Sequence, residues 1–203
     1  MKNAKNKSFF KEWFLISSGN LEIFPDVRPV GIGLIESAIK LSHIISLKEK
    51  KVKGIIFIGT IGSYGNLSIG TEVYSYSAYQ IESSKIEGKS YSPIQLKIEN
   101  KKIKKYLPYF RELYKLPFIK INSSNYITTD FQIANLLRKK YKIDGESMEF
   151  YSILKISEYY NLPTLGYFVV TNYNNKFAHK KYLKNIEMAK KKINNFLYIL
   201  RRI

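Results

Sequence analysis

The segment GESMEF, residues 145–150, opens a run with helical spacing, SMEFYSILKISEYYN, and sets a carboxylate on its apolar border. Glu149 stands one turn before Ile153 and two turns before Ile156. In a solvated first turn such a Glu gains only roughly 0.3–1 kcal/mol from the helix dipole. Turned inward it needs a partner, because an unpaired buried carboxylate costs several kcal/mol. Other chemistries are bounded by what the chain lacks. It has no Cys, which excludes disulfides, thiolate nucleophiles and Cys-ligated zinc. Its two histidines, His43 and His179, are too few for a His-rich metal site or a double-His mechanism, so no metal is expected.

The elements that must position such a carboxylate follow from the pattern of apolar residues. The 203 residues suffice for one domain with a full core, and no repeat or low-complexity linker divides them. A single domain over 1–203 is expected. WFLISSG and VRPVGIG read as short strands, and LIESAIKLSHIISLKEK as a helix ending in Lys. KGIIFIG is an unbroken apolar run bounded by Gly, as a central strand covered on both faces would be. TEVYSYSAYQIES reads as a strand, IKKYLPYFREL as a helix, and LPFIKINSSNYIT as a strand with its exit loop. TDFQIANLLRKKY reads as a helix capped at Thr128, Thr129 or Asp130. The SMEFYSILKISEYYN helix, the strand TLGYFVVTN and a long helix from about Lys180 complete the chain. Strands alternating with helices predict an α/β layered fold. Ligands of open α/β sheets gather at the carboxyl ends of strands, where the exits of IIFIG, IKIN and YFVV would meet.

The formal charge of +18 raises a nucleic-acid partner. The excess is almost all Lys, spread along the chain, with only five Arg: Arg28, Arg111, Arg138, Arg201 and Arg202. Bidentate phosphate and guanine contacts favour Arg. Runs such as KEKKVK and AKKKINN fit solvated helix faces. Nonspecific attraction at low salt is expected and specific nucleic-acid binding is not, with a basic RNA- or DNA-associated protein kept as an alternative. No apolar run approaches the ~20 residues of a membrane span, so no membrane association is expected. The start MKNAKNKSFFKEWFLISSG is interrupted by Lys11 and Glu12 and lacks a small-residue cleavage site. The cytoplasm is the expected location.

Three segments together resemble a known family. VKGIIFIGTIGSYGNLSIGTEVYS is similar to the strand, G-[ST]-x-G turn and following strand of the purine nucleoside phosphorylase and methylthioadenosine/S-adenosylhomocysteine nucleosidase superfamily. VGIGLIESA resembles that family's turn into its first long helix, and ESMEFYSILKISEYYNLPTLGYFVVTN resembles its EMEAAAIA segment and the strand ending in ISD. Each motif alone is weak, but the three stand in the right order from about Leu15 onward. The resemblance implies a three-layer α/β/α fold with a central mixed twisted sheet, compressed at its N-terminal part.

It also implies an activity, cleavage of the N-glycosidic bond of a purine nucleoside. Glu149 matches the glutamate that bonds the ribose 2′- and 3′-hydroxyls, and Met148 the methionine beneath the sugar. Tyr126 and Ile127 match the residues that contact the purine, Tyr126 by stacking and Ile127 through its backbone. Gly59 and Thr60 lie in the turn that would hold phosphate or a nucleophilic water. Glu22 is a candidate for the nucleosidases' water-activating glutamate, and Arg28 for a phosphate contact. No redox cofactor is implied; phosphate would be a co-substrate if the reaction is phosphorolysis. The partners implied are a purine nucleoside or base and a second copy of the chain, in a homodimer or higher oligomer.

Three residues and one segment depart from the pattern. Asn172, in VVTN, replaces the Asp that protonates purine N7 in adenosine-cleaving relatives, and an amide cannot act as a general acid. Some 6-oxopurine phosphorylases use Asn there as a hydrogen-bond donor. Phe57 and Phe168 stand where relatives carry Arg, which weakens phosphorolysis. The segment LEIFPDVRP compresses the usual strand pair before GIG. A catalytically weak, nucleoside-binding relative is therefore the alternative to an active enzyme.

Overall fold

The computed structural model describes residues 12–47 and 52–202. The opening residues 1–11, read above as no export signal, and the Lys-rich run 48–51 lie outside them. The strands are β1 (Trp13–Ser17), β2 (Arg28–Pro29), β3 (Gly54–Ser63), β4 (Glu72–Ser75), β5 (Ser77–Tyr79), β6 (Lys97–Glu99), β7 (Ile121–Asn122), β8 (Gly145–Glu146) and β9 (Thr164–Tyr173). The helices are α1 (Gly33–Ser46), α2 (Ser83–Ile86), α3 (Phe131–Tyr141), α4 (Phe150–Tyr159) and α5 (Ala178–Leu200). The strands form one mixed sheet in the order β2-β1-β3-β8-β7-β5-β6, with β9 pairing both β3 and β4.

β3 lies at the sheet's centre, as its apolar run requires. Its first half runs parallel between β1 and β9, and its end passes between β9 and the antiparallel β8. Side chains alternate along it. Ile56 and Ile58 enter the core on one face, Ile55, Phe57 and Ile61 the core on the other. β9 repeats the pattern, with Leu165, Tyr167 and Val169 on the first face and Phe168 and Val170 on the second. Helix α5 covers the first face through Ala189, Ile193, Phe196 and Leu197, and α4 covers the second through Phe150, Ile153 and Leu154. This is the α/β/α layering, with mixed strand directions, that the motifs imply.

Local readings are corrected at several points. IKKYLPYFREL forms no α-helix but three 3₁₀ turns, Lys101–Lys105, Leu107–Tyr109 and Leu113–Lys115. Pro108 has no N–H to donate to a continuing helix, and it opens a new turn instead. TEVYSYSAYQIES is two strands broken at Tyr76, where the Ser75 hydroxyl bonds the carbonyls of Ser77 and Ile119. Its tail enters α2. VRPVGIG and FIKIN keep only two paired residues each. Asp130 is the cap of α3 and accepts the Gln132 N–H at 2.6 Å. GESMEF also differs from the reading. Gly145 and Glu146 are sheet residues, so α4 starts at Phe150 and Glu149 sits at its cap position, buried rather than in a solvated first turn.

Candidate active site

The carboxyl ends of β1, β3 and β9 meet the head of α4 at a cavity of about 260 Å³. Glu22, Thr60, Ile127, Met148, Glu149 and Asn172 line it, six of the residues singled out from the sequence. Chain segments 150 residues apart thus converge on one space.

Glu22 reaches it through the compressed segment after β1. Gly19 and Asn20 both take positive φ, +98° and +53°, a conformation that suits Gly and that Asn tolerates. The turn closes with the Glu22 N–H donating to the Gly19 carbonyl at 2.9 Å. Its carboxylate then lies against β3. Oε1 accepts the Thr60 N–H at 3.1 Å and the Thr60 hydroxyl, while Oε2 accepts the Ser18 hydroxyl at 3.0 Å. Thr60 was expected to hold phosphate or water, and instead both of its donors are given to Glu22. Burial is the main cause that pushes Glu22 up to about 7; the Thr60 and Ser18 hydroxyls pull it down and the Glu149 charge pushes it up.

Gly59 does not line the cavity but makes room for this contact. A Cβ there would stand 2.9 Å from Glu22 Oε2 and 3.1 Å from the Phe57 ring. Gly59→Ala is therefore expected to lower stability by roughly 1–3 kcal/mol and to displace the Glu22 carboxylate. Thermal melts and catalytic rate measured on the same preparation check this: the rate should fall even where the protein is fully folded.

Glu149 is held from two directions. The Gly33 N–H, at the head of α1, donates to Oε1 at 3.2 Å, and the Ser147 hydroxyl donates to Oε2 at 2.9 Å. Burial raises its pKa against the lowering effect of these bonds. The GIG turn thus serves Glu149: Gly33 takes φ +82°, and Asn125 Oδ1 accepts the next amide, Leu34 N–H, at 2.8 Å. Asn172 also lines the cavity, 6% exposed, with its Oδ1 accepting the Thr171 hydroxyl at 3.0 Å and its Nδ2 donating to the Tyr173 carbonyl at 3.5 Å.

Two expected residues stand elsewhere. Tyr126 is 76% exposed and faces a neighbouring groove between α2 and α3, because its loop is turned by the Ser124 hydroxyl donating to the Tyr126 carbonyl. Only Ile127 of that pair lines the cavity. Arg28 is exposed on the two-residue β2 at the sheet margin and does not line it. Phe57 and Phe168 are buried in one aromatic cluster with Phe150, their centroids 5.1–6.0 Å apart, so neither position supplies a cation.

Lining residues with polar or ionisable side chains that went unread in the sequence include Glu146, His179 and Tyr182. Glu146 sits three residues before Glu149 in the same GESMEF segment, and a second carboxylate in so apolar a context was its signal. Tyr182 lies on α5; burial, and then the charges of Glu22 and Glu149, raise its pKa. Among the described residues no cluster of His, Cys, Asp and Glu is arranged to hold a metal, and no helix is long and apolar enough to cross a membrane.

No family model matches the sequence, and no curated protein matches it. Solved structures match it closely in fold. A mutant of futalosine hydrolase from Helicobacter pylori superposes with a TM-score of 0.76 at 13% identity, covering 93% of this chain and 97% of that one. A mutant 5′-methylthioadenosine/S-adenosylhomocysteine nucleosidase from H. pylori, with 5′-methylthioadenosine in its active site, gives 0.74 at 13% identity, over 93% and 96%. The corresponding nucleosidase of S. pneumoniae, with a transition-state inhibitor, gives 0.73 at 14% identity, over 94% and 98%. The structural neighbours are thus nucleosidases of the purine nucleoside phosphorylase superfamily, and the chain has their fold.

Proposed function

We propose that this protein hydrolyses the N-glycosidic bond of a purine nucleoside. The observation that carries the reading is the pair of buried carboxylates, Glu22 and Glu149, facing one cavity, with Glu22 bonded to Thr60. The nucleosidase fold supports it. A general base works best with a pKa near the operating pH, and Glu22 at about 7 is so placed.

In this mechanism Glu149 accepts the ribose 2′- and 3′-hydroxyls. As the C1′–N9 bond lengthens, its electron pair leaves with the base and C1′ becomes electron-poor. A water beside Thr60 attacks C1′ and passes a proton to Glu22. The Asn172 amide donates a hydrogen bond to the departing purine without transferring a proton. That limit favours a 6-oxopurine, whose anion spreads charge onto its exocyclic oxygen. The reaction is a substitution without change of oxidation state, so no redox cofactor enters. Water rather than phosphate is favoured as the nucleophile. The Thr60 donors already hold an anion, Phe57 and Phe168 supply no cation, and Arg28 is off the cavity.

The test is release of free base and free ribose from inosine, guanosine, futalosine and 5′-methylthioadenosine, with and without phosphate. Base release that needs no phosphate is the expected result. No release and no thermal stabilisation by any of the four would overturn the reading. Stabilisation without release would support the alternative that Asn172 favours, a nucleoside-binding relative of weak activity. A ligand at about 100 times its dissociation constant raises stability by about 2.7 kcal/mol, well within reach of a thermal-shift measurement.

Asn172→Asp separates the base classes. A buried carboxyl there, when protonated, can pass its proton to N7 of an adenine. When ionised, it repels N7 and O6 of a 6-oxopurine. The ratio of 5′-methylthioadenosine to inosine cleavage is expected to rise by roughly 10²-fold or more, the scale of a general acid. An unchanged ratio and unchanged affinities would remove residue 172 from the leaving base.

A further inference from the structure

The β3 residue Gly62 has Glu146 of β8 as its neighbour on one side and Asn172 of β9 on the other. The space over Gly62 is taken by a third side chain, Asn174. A Cβ on Gly62 would run into Asn174 Oδ1 and stand 2.8 Å from Asn172 Nδ2. The acceptor of one amide and the donor of the other therefore converge over the glycine.

The orientation of Asn174 is dictated from its other end. Its Nδ2 donates to Glu146 Oε1 and, at 3.3 Å, to the Thr128 carbonyl. Glu146 is 8% exposed, lines the cavity, and collects three more donors: the Thr128 N–H at 2.8 Å, the Thr128 hydroxyl at 2.6 Å and the Tyr64 hydroxyl at 2.9 Å. Burial raises its pKa, and these donors oppose the rise. The Thr128 N–H can only donate, so Glu146 Oε1 is an acceptor in either charge state; the Asn174 NH₂ faces it and the Thr128 carbonyl, and the Asn174 Oδ1 faces away, toward Asn172. That Oδ1 is buried and has no hydrogen-bond partner among the described residues. A buried acceptor left so favours a neighbouring N–H. At the far end Asn172 Oδ1 takes the Thr171 hydroxyl. The Asn172 NH₂, which donates to the Tyr173 carbonyl at 3.5 Å, thus lies on the same side of Gly62 as the Asn174 Oδ1 and has a second N–H to give.

We propose that Glu146 is a positioning residue that, acting through Asn174, holds the Asn172 amide as a fixed N–H donor to the base, so that the site selects a purine with an unprotonated N7. The inference rests on the nucleoside reading above. Ala at 146 removes the acceptor for the Asn174 NH₂, which frees Asn174 to turn, and Asn172 after it.

The experiment compares affinities for inosine and 7-deazainosine by calorimetry, in the Glu22→Gln background so that turnover is slow against the titration. The 7-deaza compound has a C–H where inosine has N7. With Asn172 fixed as a donor, inosine is expected to bind about tenfold more tightly, the scale of one hydrogen bond. Adding Glu146→Ala or Asn174→Ala should bring that ratio close to one while 7-deazainosine binds about as before. A merely structural role for Glu146 would weaken both ligands together, and a ratio unchanged in both variants overturns the proposal. Asn174→Ala keeps the buried carboxyl and guards against a Glu146→Ala protein that fails to fold. If neither compound binds, the nucleoside reading falls and this inference with it; if both bind and the ratio does not move, this inference alone falls.

Discussion

Glu22→Gln is expected to lower the rate of nucleoside hydrolysis by roughly 10²–10⁴-fold, the usual contribution of a positioned general base, and at the same time to make the protein more stable at pH 8. The two effects share one cause. Gln keeps acceptors for the Thr60 N–H and hydroxyl but cannot take the proton of water. The native carboxyl sits at about 7, raised chiefly by burial, against 4.5 for the free group. Below about 4.5 it is protonated in both the folded and unfolded chain and its contribution to stability is fully present. As pH rises past that point the unfolded chain releases its proton first, so stability is lost progressively as pH passes through about 7. The loss is on the order of 3 kcal/mol by pH 8. Glu149 is shifted in the same direction by its own burial, and its charge adds to the rise at Glu22. Melting temperatures of wild type and variant should therefore draw apart between about pH 4.5 and pH 7, hold a constant gap above that, and meet below about pH 4.5. The kcat/KM of the wild type should rise with pH through the same region. A Glu22→Gln enzyme with the wild-type rate and the same rise would remove Glu22 from the chemistry.

Glu149→Ala is expected to weaken nucleoside binding at least ~100-fold, because two hydrogen bonds from the diol to a charged acceptor contribute about 1.5–3 kcal/mol each. The free base lacks the diol, so its affinity should stay within about threefold of wild type. The change also strands the Gly33 N–H and the Ser147 hydroxyl, which donate to Glu149. A buried donor without an acceptor costs roughly 1–3 kcal/mol, so the variant should melt lower. Glu149→Gln keeps one acceptor for those donors and controls for this loss. Equal loss of nucleoside and base affinity would mean a collapsed cavity. Unchanged nucleoside affinity in a folded protein would take Glu149 away from the sugar.

The parts of the site that were readable in advance lie on regular elements. Thr60 and Asn172 end β3 and β9, whose apolar runs announce themselves, and Met148 and Glu149 head α4. Tyr126 and Arg28 were misplaced because each lies on an irregular segment whose path is decided by single hydrogen bonds. The Ser124 hydroxyl turns the loop that carries Tyr126 outward, and β2 is only two residues long. Glu22 was readable only through resemblance. Nothing in LEIFPDVRP indicates that positive φ at Gly19 and Asn20 folds the chain back against Thr60.

By itself the sequence determined the layering and the centre of the sheet. An unbroken apolar run such as GIIFI must be covered on both faces, and period-two and helical spacings are local properties of the chain. It also placed one carboxylate, Glu149, at the head of α4. The tertiary structure alone decided what the charged groups do. Glu22 and Thr60 lie 38 positions apart, Glu149 and Gly33 lie 116 apart, and Glu146 and Thr128 lie 18 apart. No spacing rule links such pairs. Their ionisation depends on burial and on which donors the folded chain brings within about 3 Å. That is why Glu22, Glu146 and Glu149 are equivalent letters in the sequence and three different groups in the protein: a carboxyl raised to about 7 against Thr60, an acceptor for the Thr128 and Asn174 amides, and an acceptor at the head of a helix.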